Sequence, residues 1–192
     1  YYSPQIWCSD NTDAIERLTI QFGTSMCYPI SSFGAHVAAR PRTSLKTRGN
    51  VAMCGTFGYE LDPRKLTDDE KAEVKQQIAD YRKYHRLVRE GDFYRLVSPT
   101  ENDFYCAWGV VSPDKTEAMM TAVVMRQPET RYCVQRLRGL DPKTYYQDEE
   151  TGTVYSGAML MNAGLNLTRD VYEDGTLSLI HISEPTRPLY IS

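Results

Sequence analysis

The residues best suited to chemistry lie in one short segment, WCSDNTDAIERL, at residues 7–18. Asp10 follows an apolar run and precedes a helix start, so it would lie at a strand end, where parallel α/β folds gather their catalytic groups. A carboxylate there is a candidate general acid/base, and Trp7 would supply the kind of apolar wall that favours a protonated carboxyl group. The alternative is that Asp10 and Asp13 only cap a helix and interact with its dipole. From residue types alone, capping is the commoner interpretation.

Other residues offer weaker signals for chemistry. His36 is either catalytic or, as residue type favours, a hydrogen-bonded loop or core histidine. The GTFG segment at 55–58 lacks the spacing of a phosphate-binding loop. The five cysteines are odd in number and form no CxxC pair, which predicts reduced thiols and neither a disulfide framework nor a zinc site; they are Cys8, Cys27, Cys54, Cys106 and Cys133. We expect neither a metal nor a cofactor.

The composition is that of a globular protein. Of 192 residues, 41% are hydrophobic and 24% charged, which argues against disorder. The net charge of −3 argues against a nucleic-acid partner. No apolar run is long enough to span a membrane, so we expect no membrane contact.

The first ninety residues predict alternating strands and helices. The apolar run 1–7 predicts a strand, and Asp13 with Glu16 marks the start of a helix that ends at Gly23. Further strands are expected before residue 39 and within 50–62, with an exposed basic loop at 40–49 between them. A second helix should begin at the Thr67–Glu70 capping box and continue to about Arg86. This alternation is typical of a parallel α/β layer or barrel.

After Gly91 the sequence pattern changes to short runs rich in Tyr, Val and Met, separated by turn residues. Such runs predict an antiparallel all-β module, with a domain boundary near 88–92. The last segment, LSLIHISEPTRPLYIS at 177–192, resembles a translated sequencing adapter, so we expect the natural sequence to stop near residue 175 or 176. The opening YYSPQIW has no initiator Met, which predicts the remainder of a longer protein.

Three blocks carry a family resemblance that is stronger than any single motif. PQIWCSDNTDAIERL, QFGTSMCYPISSFGAHV and TRGNVAMCGTFGYELD, in this order, resemble the late catalytic region of glycoside hydrolase family 36 α-galactosidases. The resemblance is continuous over residues 1–90. It continues more loosely, through FYRLVSP and RLRGLDP, to about residue 170.

The resemblance implies a fold that combines α/β with all-β structure. Residues 1–90 would be the last strands and helices of a (β/α)8 catalytic barrel, and residues 91–176 a C-terminal antiparallel β-sandwich domain. Family members are also expected to be cytoplasmic bacterial homo-oligomers, such as tetramers, when full length.

The resemblance also implies an activity and the roles of individual residues. The family hydrolyses terminal α-D-galactosyl residues of melibiose and raffinose-type oligosaccharides by double displacement, with Asp10 in the position of the general acid/base. Trp7 and Asp13 would touch the substrate or support Asp10. The nucleophile would lie on an earlier strand outside this chain, so the chain alone is expected to be inactive. The segment 37–48 is shorter than the family's usual loop, which places one rim of the site in question.

Two alternatives to a hydrolase stay open at this point. One is an α-galactosyl transferase relative that resembles raffinose synthase, in which a sugar acceptor replaces water. The other is a non-catalytic carbohydrate-binding or interaction module, formed by residues 91–176.

Overall fold

Strands and helices alternate in the first part of the chain. The computed structural model describes residues 4–39, 42–126, 133–167 and 177–183, with the backbone alone at 177–181. The first part contains β1 (Ile6–Trp7), α1 (Ala14–Thr24), β2 (Phe33–Ala38), α2 (Leu45–Ala52), β3 (Thr56–Glu60) and α3 (Asp68–Glu90), with short 3-10 turns at Ile30–Ser32 and Pro63–Lys65. The three strands form a parallel sheet in the order β1-β2-β3. Their C-terminal ends therefore meet at one edge, as the alternating pattern predicts.

The two helix starts seen in the sequence are confirmed. Asp13 caps α1, and Thr67 caps α3 in a full capping box with Glu70. The Glu70 amide donates to Thr67 Oγ1 at 3.2 Å, and the Thr67 amide donates to Glu70 Oε2 at 2.8 Å. α3 continues past the expected end at Arg86 because Leu87 and Val88 are buried in the core.

The prediction of an exposed loop at 40–49 is wrong over its second half, which is the start of α2. Ser44 caps this helix by accepting a hydrogen bond from the Thr47 amide at 3.1 Å. Gly49 is buried against α3, where an added Cβ would come within 2.3 Å of the Gln77 side chain. The basic composition of this segment does not predict a helix. The helix forms because tertiary contacts outweigh the weak helix propensity of the local sequence. The strand expected in 50–62 is correspondingly confined to β3.

The second part is antiparallel, as predicted. A six-stranded sheet in the order β4-β5-β6-β11-β8-β9 is accompanied by the two-stranded pair β10-β7. The strands are β4 (Asp92–Val97), β5 (Tyr105–Val111), β6 (Glu117–Val124), β7 (Val134–Gln135), β8 (Tyr145–Asp148), β9 (Val154–Ser156), β10 (Leu165–Asn166) and β11 (Leu177–Ser183). One helix, α4 (Gly157–Asn162), replaces part of a run expected to be strand.

β11 belongs to the segment that we expect to derive from an adapter. Its backbone pairs with β6 from Leu177 opposite Val123 to Ser183 opposite Glu117, and with β8 at two positions. The origin of this segment, like the division of the chain at residues 90 and 176, stays a prediction.

The central strands β5 and β6 connect the two parts of the chain. Successive side chains of a strand point to opposite faces. Cys106, Trp108 and Val110 of β5 pack in one core with Leu87 and Val88 of α3. The alternate residues of β5 pack in a second core with residues of α4 and the following segment; this core includes Ala107, Val111, Leu160, Leu165 and Leu167. β5 and β6 are thus buried on both faces. The face that carries Trp108 packs against the helices behind the parallel sheet.

Candidate functional site

Asp10 lies at the C-terminal edge of the parallel sheet, in the loop between β1 and α1. Its main-chain carbonyl accepts three hydrogen bonds, from the Thr12 amide at 2.6 Å, from Arg17 Nη2 at 2.8 Å and from Ser9 Oγ at 3.4 Å. The residue itself is exposed. The loop is therefore fixed through its backbone while the carboxyl group stays accessible from the edge of the sheet.

Arg17 and His36 form the buried base of this edge. Their exposed fractions are 1% and 2%. Arg17 Nη1 lies 3.1 Å from His36 Nδ1, and Arg17 Nη2 lies 2.9 Å from His36 Nε2. Because a guanidinium only donates, the ring must offer an unprotonated nitrogen to it. Consistently, burial and the positive charge of Arg17 lower the pKa of His36 to about 4, so this histidine is neutral.

Trp7 covers His36 from the solvent side. The two rings are stacked, with centroids 4.5 Å apart and planes at 17°. The indole also lies over Gly34, where an added Cβ would come within 2.9 Å of Trp7 Cε3. Trp7 remains 62% exposed. It therefore presents a broad aromatic surface beside Asp10, on the same edge of the sheet.

Asp13 lies in a different environment from Asp10. It is buried, and its Oδ1 accepts a hydrogen bond from the Ile15 amide at 3.0 Å as the N-cap of α1. The structure thus separates the two aspartates that the sequence left as equivalent helix-capping candidates: Asp13 caps the helix, and Asp10 lies at the exposed strand edge.

Glu60, the last residue of β3, is a member of the site that the sequence interpretation missed. Its Oε2 is shielded from solvent and lies 2.5 Å from His36 Nε2. Desolvation, followed by hydrogen bonding with the Asp10 side chain and the charge of Asp10, raises the pKa of Glu60, while the charge of Arg17 opposes the shift. The rule that drew attention to Asp10, a carboxylate at a parallel strand end, also applies to Glu60 in TFGYE.

Of the remaining candidates, Cys8 lies near this cluster: burial raises the pKa of its thiol, and the charge of Arg17 opposes that shift. All five cysteines are free thiols. Among the described residues, no three His, Cys, Asp or Glu side chains converge as metal ligands, and no helix there is long and apolar enough to cross a membrane. A separate cavity of about 680 Å³ lies in the antiparallel part, between β4, β5 and the segment around β7; its lining includes Tyr105, Gln135, Arg136 and Arg138 but no carboxylate.

Two family models match consecutive parts of the chain. Residues 1–91 match the melibiase model, and residues 105–182 match the model of the glycosyl hydrolase family 36 C-terminal domain. The first match contains the whole parallel sheet with its polar cluster, and the second contains most of the antiparallel part.

Named relatives give the same result. The chain is 49% identical over 174 residues to the bifunctional α-galactosidase/sucrose kinase AgaSK of Mediterraneibacter gnavus, covering 87% of this chain and 18% of that protein. It is 51% identical over 174 residues to α-galactosidase AgaA of Geobacillus stearothermophilus, covering 87% of this chain and 24% of that protein. The chain thus spans about a fifth of the length of these relatives.

Solved structures extend the similarity to the fold. The galactosidase domain of AgaSK superposes with a TM-score of 0.90 at 46% identity, over 96% of this chain and 26% of that one. A variant of AgaA in complex with raffinose superposes with a TM-score of 0.91 at 45% identity, over the same shares of the two chains. On the combined evidence of family models, relatives and structures, the chain belongs to glycoside hydrolase family 36.

Proposed function

We propose that this chain supplies the general acid/base of a retaining α-galactosidase, which hydrolyses terminal α-D-galactosyl residues of raffinose-type oligosaccharides. The observation that carries the proposal is the placement of Asp10, an accessible carboxyl group at the C-terminal edge of a parallel sheet, within the melibiase match. Structures of AgaA variants in complex with raffinose and with stachyose support this substrate class.

In the first half of the reaction, Asp10 would donate its proton to the glycosidic oxygen as the bond to the anomeric carbon breaks. In the second half, the same carboxylate would take a proton from the water that attacks the galactosyl–enzyme intermediate. The hydrogen bonds to the Asp10 carbonyl favour this role, since they fix the backbone of a residue that is itself exposed at the edge of the sheet.

Retention requires a second carboxylate, about 5–5.5 Å from the first, to act as nucleophile. Glu60 does not suit that role, because its Oε2 is shielded from solvent and lies 2.5 Å from His36 Nε2, so the carboxyl group is held against the base of the edge. We therefore infer that the nucleophile comes from sequence outside this chain, and that the isolated chain does not hydrolyse galactosides.

Trp7 is the residue best placed to contact a sugar ring beside Asp10, through its exposed face. Asp13 would contribute indirectly, by fixing the start of α1 and hence the loop that carries Asp10. The proposal has two further parts that rest on the family. The two parts of the chain would complete a (β/α)8 barrel and a β-sandwich, and the whole protein would be a cytoplasmic homo-oligomer.

The test is a chimera in which this chain replaces its matching segment of Geobacillus stearothermophilus AgaA. We expect the chimera to hydrolyse raffinose, and Asp10→Asn to reduce kcat/KM on raffinose by roughly 10²–10⁴-fold. Activated aryl α-galactosides should lose less in the glycosylation step, because their leaving group needs little protonation. Glu16→Gln, an exposed acidic residue in the first turn of α1, is the matched control.

Equal losses on raffinose and aryl galactosides in that step would contradict the acid role of Asp10. If galactose passed mainly to an added sugar acceptor and not to water, the transferase alternative would replace hydrolysis. Hydrolysis by the isolated 192-residue chain would contradict the inferred external nucleophile.

A further inference from the structure

Arg17 lies at the centre of the polar contacts at the edge of the parallel sheet. It belongs to α1 and is 1% exposed. Its Nη2 donates to the Asp10 carbonyl at 2.8 Å, and its Nη1 lies 3.1 Å from His36 Nδ1. Its Nε has no hydrogen-bond partner among the described residues. The guanidinium therefore bonds through its two terminal nitrogens, toward the loop that carries Asp10 and toward β2.

Among the donors to the Asp10 carbonyl in the described part of the chain, Arg17 is the one that lies outside the β1–α1 loop. Thr12 and Ser9 donate from within the loop, whereas Arg17 connects the loop to α1. The carbonyl and the side chain of a residue leave the same Cα atom. A fixed carbonyl therefore also limits where the Asp10 carboxyl group can lie.

His36 holds the Arg17 guanidinium in turn. Nε2 of His36 lies 2.5 Å from Glu60 Oε2 and therefore carries the ring proton, which leaves Nδ1 to accept from Arg17. The other side of the ring arrangement is closed by Trp7, which is stacked on His36. The guanidinium is thereby anchored to β2 and, through Glu60, to β3.

A buried arginine of this kind suits orientation better than stability. Burying a guanidinium costs solvation energy that its hydrogen bonds must recover, and an apolar side chain in the same space is often at least as stable. A carboxyl group that must meet a glycosidic oxygen gains from being held in place, since a misplacement of about 1 Å can cost on the order of 10²-fold in rate.

We propose that Arg17 is a positioning residue for the general acid/base. Its hydrogen bond to the Asp10 carbonyl, anchored by His36, holds the Asp10 carboxyl group where it meets the glycosidic oxygen of the substrate. Arg17 itself neither contacts the substrate nor transfers a proton. This inference rests on the proposed function of Asp10.

The test compares two substrates in the AgaA chimera. Arg17→Met keeps an unbranched side chain but removes every donor. We expect kcat/KM on raffinose to fall by roughly 10–10²-fold. An activated aryl α-galactoside needs little protonation of its leaving group, so the ratio of kcat/KM on raffinose to that on the aryl galactoside should fall by about tenfold. A merely structural role would leave this ratio unchanged, because a smaller folded fraction lowers both values equally.

Arg95→Met is the matched control. Arg95 Nη1 also donates to a main-chain carbonyl at 2.8 Å, that of Ser25 at the opposite end of α1. Its removal should leave the ratio unchanged. Binding of 1-deoxygalactonojirimycin, the ligand of a related AgaA variant structure, reports whether each chimera is folded.

A second comparison tests whether Arg17 acts through Asp10. In the Asp10→Asn background, Arg17→Met should not lower the ratio further, because no acid remains to be positioned. An equal further fall in that background overturns the proposal, as does an unchanged ratio in Arg17→Met or an equal fall in Arg95→Met.

If Arg17→Met fails to bind 1-deoxygalactonojirimycin, Arg17→Lys provides the second variant. Lysine keeps the positive charge but has a single nitrogen, which cannot occupy both Nη positions. The ratio should fall in the same direction by less, and an unchanged ratio overturns the proposal. Full raffinose activity in Asp10→Asn would instead show that the proposed function fails. The expected loss in Asp10→Asn, together with an unchanged ratio in Arg17→Met, removes this inference alone.

Discussion

A polar cluster at the edge of the parallel sheet and a buried hydroxyl in the antiparallel part differ in the kind of group that they contact. At the edge of the parallel sheet, Arg17 contacts His36, His36 contacts Glu60, and Asp10 is exposed on the same edge. In the antiparallel part, the fully buried Tyr146 hydroxyl has main-chain partners on both sides. A buried hydroxyl that is hydrogen-bonded to main-chain groups contributes to the stability of a fold. A cluster of ionisable side chains can in addition shift the pKa values of its members, as functional sites commonly do.

The two parts are nevertheless one packing unit. β5 and β6 are buried on both faces, so the antiparallel sheet supports the helices behind the parallel sheet through Trp108 and Val110. We therefore expect the antiparallel part to contribute mainly stability and the parallel edge to contribute chemistry. Three substitutions test this division.

The largest effect on stability should come from Leu160 in α4, which is 0% exposed in the core of the antiparallel part. Leu160→Ala should lower the free energy of unfolding by about 2–5 kcal/mol, because it removes buried methyl groups and leaves a cavity. Urea unfolding of the chain measures this effect. The neighbouring exposed Met159→Ala should cost far less.

In the AgaA chimera, Leu160→Ala should leave kcat/KM on raffinose nearly unchanged well below the melting temperature. A loss of activity without loss of folded protein would break the division between the two parts.

The next effect is pH-dependent and belongs to the parallel edge. The pKa of His36 is lowered from 6.5 to about 4 in the folded chain. The unfolded chain therefore binds a proton between these values that the folded chain does not, and stability falls as pH decreases from about 6.5 to about 4. This histidine should account for about 2–3 kcal/mol of that loss.

The measurement is urea unfolding at pH 7 and pH 4 for the chain, for His36→Gln and for the exposed His85→Gln as control. The His36 variant should show a smaller difference between the two pH values than the unsubstituted chain, and the His85 variant should not. The same difference in all three proteins would mean that His36 is not held neutral at this edge.

The smallest effect tests the satisfied polar group in the antiparallel part. The Tyr146 hydroxyl donates to the Lys115 carbonyl at 2.7 Å and accepts from the Asp141 amide at 3.0 Å. Tyr146→Phe leaves both main-chain groups without this partner and should cost about 1–2 kcal/mol. Tyr145→Phe, at the adjacent and more exposed position, should be close to neutral.

Thermal unfolding at pH 6 and pH 8 provides the comparison for Tyr146. The cost should be the same at both pH values, because the hydroxyl is paired with main-chain groups that carry no charge. A cost that changed with pH would place an ionisable network in the antiparallel part as well.

The local sequence determined much of this protein by itself. Asp13 and the Thr67–Glu70 pair define helix starts through side-chain hydrogen bonds within three residues, so their signals are readable in the sequence. The change of sequence pattern after Gly91 indicated the antiparallel part, because the alternation of side chains between the two faces of a strand is a local property. The position of Asp10 after an apolar strand was likewise local, and the quoted blocks led to the family.

Only the tertiary structure decided which residues surround Asp10. Arg17, His36 and Glu60 lie on three different elements, and they meet because parallel strands β1, β2 and β3 end at the same edge. The sequence did not predict helix α2 for a related reason. Its buried side chains pack against β2 and α3 and do not follow a local helical pattern. A sequence records the preferences of each segment, whereas contacts between distant segments depend on strand order and register, which no single segment encodes.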